Sequence, residues 1–171
     1  MMKAFEHWFG PYPFYEDSYK LVESPHLGME HQSNVAYGNK YMNGYLGRDL
    51  SGTGVGLNWD FIIIHESAHE WFGNLITHKT LNHAWLHEGF GLYMQPAYAK
   101  DKLGIAAYHY QLYKSYLGLL NCDPVVRTGT VTSDEAFNPD IYGKGGWTLH
   151  TLRYLVGEPV FWQATRELLY G

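Results

Sequence analysis

The stretch Trp59-Asp60-Phe61-Ile62-Ile63-Ile64-His65-Glu66-Ser67-Ala68-His69-Glu70-Trp71-Phe72-Gly73 decides how the chain is read. Within it, His65-Glu66-Ser67-Ala68-His69 has the form His-Glu-x-x-His, and Glu88 follows after eighteen further residues. If 59–73 is helical, His65 and His69 are four apart and lie on one face, their rings one above the other. Two imidazoles so placed can hold a zinc ion at about 2.0–2.1 Å. Glu66 faces the same cleft without having to ligate, which suits a general base acting on water. The plain alternative is a satisfied pair of core histidines. The flanks Phe61 to Ile64 and Trp71-Phe72 would bury such a helix nearly all round, where two His with Glu66 and Glu70 are costly unless partnered. A metal ion provides one partner.

The chain has 171 residues, enough for one domain that buries roughly 70% of its unfolded surface. With 46% hydrophobic and 17% charged residues it reads as globular, and a net charge of −5 gives no reason to expect nucleic acid or an anionic membrane as partner. Fifteen Tyr and six Trp point to a wide amphipathic surface, a cleft or an open interface through which copies could self-associate. Cys122 is the only cysteine, so no intrachain disulfide forms, and no triad context makes it a nucleophile. Met1 to Phe5 lacks the apolar core of a signal peptide, and the longest aliphatic run, Ile62 to Ile64, cannot span a bilayer. The expectation is a soluble protein whose native compartment stays open.

In chain order, Phe5, Trp8 and Phe9 have helical spacing, ended by Gly10-Pro11. Residues 19–23 and 32–37 read as strands, and residues 38–58, with six glycines, as a long loop of the kind that often carries function. After the central helix, a second is expected from Asn82 or His83 towards Leu103, kinked or broken at Pro96. A third spans 105–120, with Ile105, Tyr108, Leu112, Tyr116 and Leu119 along its stripe. A loop with a short strand at Val125-Val126 leads to a fourth helix starting at Tyr142 or Lys144, and Gly157-Glu158-Pro159 opens a fifth. The fold class expected is α+β: a strand and loop lobe over 1–58, then a helical lobe over 59–171, with the metal helix between them. That is the order of a zincin catalytic domain of thermolysin-like type, with a sheet on one wall of the cleft and helices on the other.

The full pattern, His-Glu-x-x-His-x18-Glu, resembles the gluzincin aminopeptidases of the aminopeptidase N and leukotriene-hydrolase family. Four further stretches match in order and spacing. Glu70-Trp71-Phe72-Gly73-Asn74 resembles the continuation of the family's metal helix, and Trp85-Leu86-His87-Glu88-Gly89-Phe90 its Trp-Leu-Asn-Glu-Gly-Phe block. Gly28-Met29-Glu30-His31 resembles the exopeptidase motif Gly-x-Met-Glu-Asn, and Ile141-Tyr142-Gly143-Lys144-Gly145 the Tyr-x-Lys-Gly motif. His31 and His87 stand where the family has Asn. Family members also carry a β-domain before this region and a helical domain after it, so the chain reads as an excised or minimal catalytic domain.

The resemblance implies one Zn2+ per chain held by His65, His69 and Glu88, with the fourth position left open as in catalytic zinc sites. It implies Glu66 as general base, Tyr142 as donor to the oxyanion, and Glu30, with Gly28 and Met29, as the anchor for the amine of peptide substrates with a free amino terminus. Tyr142 is expected just before the fourth helix. Glu70 reads as support for a ligand imidazole or as partner of a cation. His26, His31, His78, His83, His109 and His150 read as surface or capping groups. A rival reading keeps the zinc but not the turnover: a metal-stabilised domain that binds peptides or partners. Cobalt or manganese could also occupy such ligands.

Overall fold

A computed structural model describes residues 1–171, with every residue placed. Helix α1 (Met2–Phe9) buries Phe5, Trp8 and Phe9 and stops at Gly10, whose φ of 102° suits glycine. Three short strands follow, β1 (Lys20–Glu23), β2 (Gly28–Met29) and β3 (Asn34–Tyr37), in the order β1-β3-β2. β1 runs parallel to β3 and β2 antiparallel to it. β3 is the central strand and the buried one, through Val35, Ala36 and Tyr37. The front lobe is thus mainly loop, with a smaller sheet than its strand-like stretches predict, and residues 28–29 form a strand that their short Gly-Met run does not announce.

The long loop after β3 is held by side chains. Asn39 donates from Nδ2 to the carbonyls of Met42 and Gly44 and to Asp60 Oδ1, and its Oδ1 accepts from Leu46 N. Asp60 also caps α2 (Phe61–Ala68) by accepting from Ile62 N and Ile63 N at 2.9 and 3.1 Å. The helix expected over 59–73 therefore spans only 61–68. Beyond it the amides of Asn74, Leu75 and Ile76 bond five residues back, to His69, Glu70 and Trp71, and Gly73 takes a φ of 149°. The wider turns bury Trp71 and Phe72, and Phe72 stacks on Phe90 with centroids 3.5 Å apart.

Helix α3 (Trp85–Leu103) passes through Pro96 without a break. α4 (Ile105–Leu117) buries only Tyr108, Gln111 and Leu112, so Ile105 and Tyr116 of the expected stripe face outward. No strand forms at Val125-Val126. Instead Thr132 and Glu135 make a reciprocal capping box that opens the one-turn α5 (Ser133–Ala136). α6 (Pro139–Val156) starts with Asn138 as its cap and Pro at its first position, and α7 (Glu158–Tyr170) follows Gly157. Tyr142 is therefore inside the first turn of a helix and not ahead of it. The core joins α1, the end of α2, α3, α6 and α7 through Phe5, Phe9, Trp71, Phe90, Leu149 and Trp162. All six Trp are buried or half-buried, so they build this core and not an open surface, whereas Tyr110, Tyr113, Tyr116 and Tyr154 are exposed. A small three-stranded sheet in a chain that is 53% helical fits the α+β class. No helix is long and apolar enough to cross a membrane.

Candidate metal centre

Helices α2 and α3 bring three donor atoms together. His65 Nε2 and His69 Nε2 lie 3.3 Å apart, and Glu88 Oε2 lies 3.2 Å from the first and 3.6 Å from the second. A tetrahedral ion about 2.0–2.2 Å from each ligand has ligand–ligand edges of about 3.3–3.6 Å. The triangle is thus the size of one face of such a tetrahedron. His69 Nδ1 faces the Phe72 carbonyl at 2.9 Å, which leaves Nε2 as the free donor. Glu88 Oε2 is buried with no hydrogen-bond partner, a cost that a cation removes.

Electrostatics tell the same story. Burial pushes the His69 imidazole down, but Glu88 against it prevails and raises its pKa to about 9. Burial likewise pushes Glu88 up, and the two imidazoles overcome this and hold it far below the carboxylate range. The cluster attracts positive charge into a buried position, by proton or by metal. Nitrogen and carboxylate donors on a tetrahedral face suit zinc.

Around this face the structure gathers the other expected residues. Glu66 is buried on α2, and burial raises its pKa against the pull of His65 and His69. Glu30, half-buried just after β2, has a carboxylate oxygen within 4.8 Å of a Glu66 carboxylate oxygen and a His69 ring nitrogen. Gly28 lies flat on α2: a methyl there would sit 2.7 Å from Ile62 Cγ2 and 2.9 Å from Glu66 Cδ. Met29, 46% exposed, pairs with Ala36 in the sheet. Tyr142 stacks on His65 with centroids 6.3 Å apart, and burial, then the carboxylates of Glu88, Glu30 and Glu66, raise its pKa. Its approach depends on α3 and α6 touching backbone to backbone, where a methyl on Gly89 would lie 3.1 Å from Gly145 C. Seven of the eight expected residues are thus neighbours around this triangle, Met29 entering only as the residue between Gly28 and Glu30.

Other assignments change. Glu70 supports no imidazole and meets no cation; it accepts from Ser33 N at 2.8 Å and from Tyr12 OH at 3.1 Å, tying the loop after β2 to the metal helix. Asn74 Nδ2 donates to the Glu30 carbonyl at 3.0 Å and so holds the backbone at Glu30. His87 is buried, its pKa lowered to about 4 by burial, and its Nε2 accepts from His78 N. His150 is no surface group either, for its Nδ1 pairs with Tyr108 OH at 2.7 Å. Cys122 is an exposed loop residue. Sequence reasoning misses the role of Asn74, although the residue follows the metal helix directly, because nothing local pairs it with a residue 44 positions earlier.

The chain is similar to known proteins in sequence and in fold. The family model "Peptidase family M1 domain" matches residues 1–170. The probable aminopeptidase 1 of Sulfurisphaera tokodaii is 27% identical over 160 residues, covering 87% of this chain and 20% of the relative. Aminopeptidase B of Homo sapiens is 32% identical over 109 residues, covering 57% of this chain and 17% of its own length. Among solved structures, the M1 zinc metallopeptidase from Deinococcus radiodurans superposes with a TM-score of 0.78 at 24% identity, over 98% of this chain and 34% of that one. The leukotriene A4 hydrolase of Saccharomyces cerevisiae gives 0.76 at 22%, over 98% and 27%. These likenesses show the fold, and the chain spans about a fifth to a third of the length of such relatives. With that family model matched over residues 1–170, the chain belongs to peptidase family M1.

Proposed function

We propose that the chain is a zinc-dependent aminopeptidase domain that cleaves the amino-terminal peptide bond. The observation that carries this reading is the triangle of His65, His69 and Glu88 with Glu30 beside it. Zinc held by these three ligands supplies Lewis acidity at the scissile carbonyl and makes water acidic enough to react near neutral pH. Glu66 takes the proton from the attacking water and delivers it to the leaving amine, and its burial, by raising its pKa, suits a group that must do both. Tyr142, kept protonated, donates its hydroxyl hydrogen to the developing oxyanion. Glu30 pairs with the substrate's α-ammonium and so sets the cut one residue in. Asn74 holds Glu30 in place through its carbonyl.

The test is hydrolysis of aminoacyl amides beside amino-blocked copies, with and without chelator, and with Glu66→Gln as control. Turnover of free-amine substrates alone, lost in chelator and in the variant, supports the reading; equal turnover of blocked substrates removes Glu30 from its role. A second reading, a zinc-stabilised domain that binds without turnover, draws on one feature. An apolar groove of ≈ 250 Å³ on α6 and α7, with exposed Leu152, Val160 and Leu168 at its edge, is open to solvent. Under that reading the chain self-associates, and sedimentation at rising concentration detects it.

A further inference from the structure

A cavity of ≈ 310 Å³ lies beside the metal centre, between the loop of residues 44–56 and helices α3, α4 and α6. Phe61, in its wall, stacks on His65 with centroids 5.9 Å apart; Gly143, also in the wall, follows Tyr142, and Leu92 is one turn beyond Glu88. Glu30 groups with Glu66 and His69 and is not among the residues that line this cavity. With the amine at Glu30 and the first carbonyl at the metal, this cavity, reached past Phe61 and Gly143, is the space we assign to the second residue of a peptide.

The cavity is mostly apolar, and its buried polar side chains are already paired with one exception. Gln95 accepts from Trp59 Nε1 and donates to the Phe61 carbonyl; Tyr93 OH meets Tyr108 OH; Trp147 Nε1 donates to Ser115 Oγ. Gln111, on α4, is 5% exposed, and its Oε1 is buried without a hydrogen-bond partner. A primary amide offers a donor and an acceptor that a half-turn interchanges. Its complement in an aromatic-sized apolar space is a phenol, whose hydroxyl both donates and accepts. A phenyl ring fills the same space and leaves the amide orphaned.

Resting on the aminopeptidase reading, we propose that Gln111 is a specificity-determining residue, which makes this cavity select a tyrosine side chain at the second position of the peptide over phenylalanine. One net hydrogen bond is worth roughly 2- to 10-fold. The test compares kcat/KM for Leu-Tyr-amide and Leu-Phe-amide, and measures calorimetric binding of both to zinc-loaded Glu66→Gln protein. The expected result is a preference for Tyr in that range, falling to about one in Gln111→Met, which keeps length and volume but lacks the amide. A wild-type ratio of one or less, or a Tyr preference that survives Gln111→Met, overturns the assignment. If neither peptide is cleaved, the aminopeptidase reading fails, while the binding ratio still decides the role of Gln111. Absence of binding by both peptides overturns it as well.

Discussion

Replacing Gly28 by alanine tests how closely the strand β2 is fitted to the catalytic helix. The new methyl would stand 2.7 Å from Ile62 Cγ2 and 2.9 Å from Glu66 Cδ. Carbon atoms in contact settle at about 3.5–4.0 Å, so the pair must open by roughly 1 Å. Ile62 is β-branched and stiff, and its amide is pinned by Asp60, so α2 does not yield readily. The strain falls on Glu66 and on β2. Overpacking of this kind costs about 1–3 kcal/mol, and a misplacement of about 1 Å at a reacting group costs about 100-fold in rate. Gly28→Ala is therefore expected to lower kcat on an aminoacyl amide about 100-fold and to lower Tm by several degrees. The zinc content, measured by native mass spectrometry, stays at one per chain, because no ligand is touched. Wild-type kcat in a folded Gly28→Ala protein would refute the argument.

Asn74→Ala removes the bond to the Glu30 carbonyl and is expected to raise KM for free-amine substrates roughly 2- to 10-fold with little change in kcat, read from steady-state kinetics. Tyr142→Phe is expected to lower kcat about 100- to 1,000-fold at unchanged zinc content, as loss of one oxyanion donor does. Glu158 is pushed up by burial, but Lys100 and Arg153 prevail and lower its pKa to about 2 from an ordinary 4.5. A depressed carboxylate stabilises above its unfolded pKa and loses that stabilisation as pH falls through the folded one. Wild type should therefore be more stable than Glu158→Gln at pH 6, with the difference shrinking between pH 4.5 and 2 in Tm measurements.

The pairing of His65 with His69 is legible because it rests on local geometry. Helical periodicity places His65 and His69 on one face, and Asp60 supplies a cap that fixes where that helix begins. Its end is harder to see: Trp71 and Phe72 look like more helix, yet they reach the aromatic core only because the chain changes to wider turns after His69. Two start signals are present in the sequence and outweigh the reading given to their segments. Thr132 with Glu135 marks α5, and Asn138-Pro139 starts α6 ahead of Tyr142. The stripe on α4 fails because periodicity shows which residues share a face, not whether a neighbour covers it. Gly28 against Glu66, Asn74 with Glu30, Gly89 on Gly145 and the cavity at Gln111 are meetings of residues far apart in the chain, and no local pattern encodes them.

One titration tests the zinc dependence of this domain most directly. Chelator-stripped protein is given zinc in steps while hydrolysis of a leucine amide with a free amine is followed. The structure predicts activity that rises in proportion to added zinc and breaks at one equivalent per chain, with none in His69→Ala. Zinc binding to one equivalent without turnover, or turnover that ignores zinc, would contradict it.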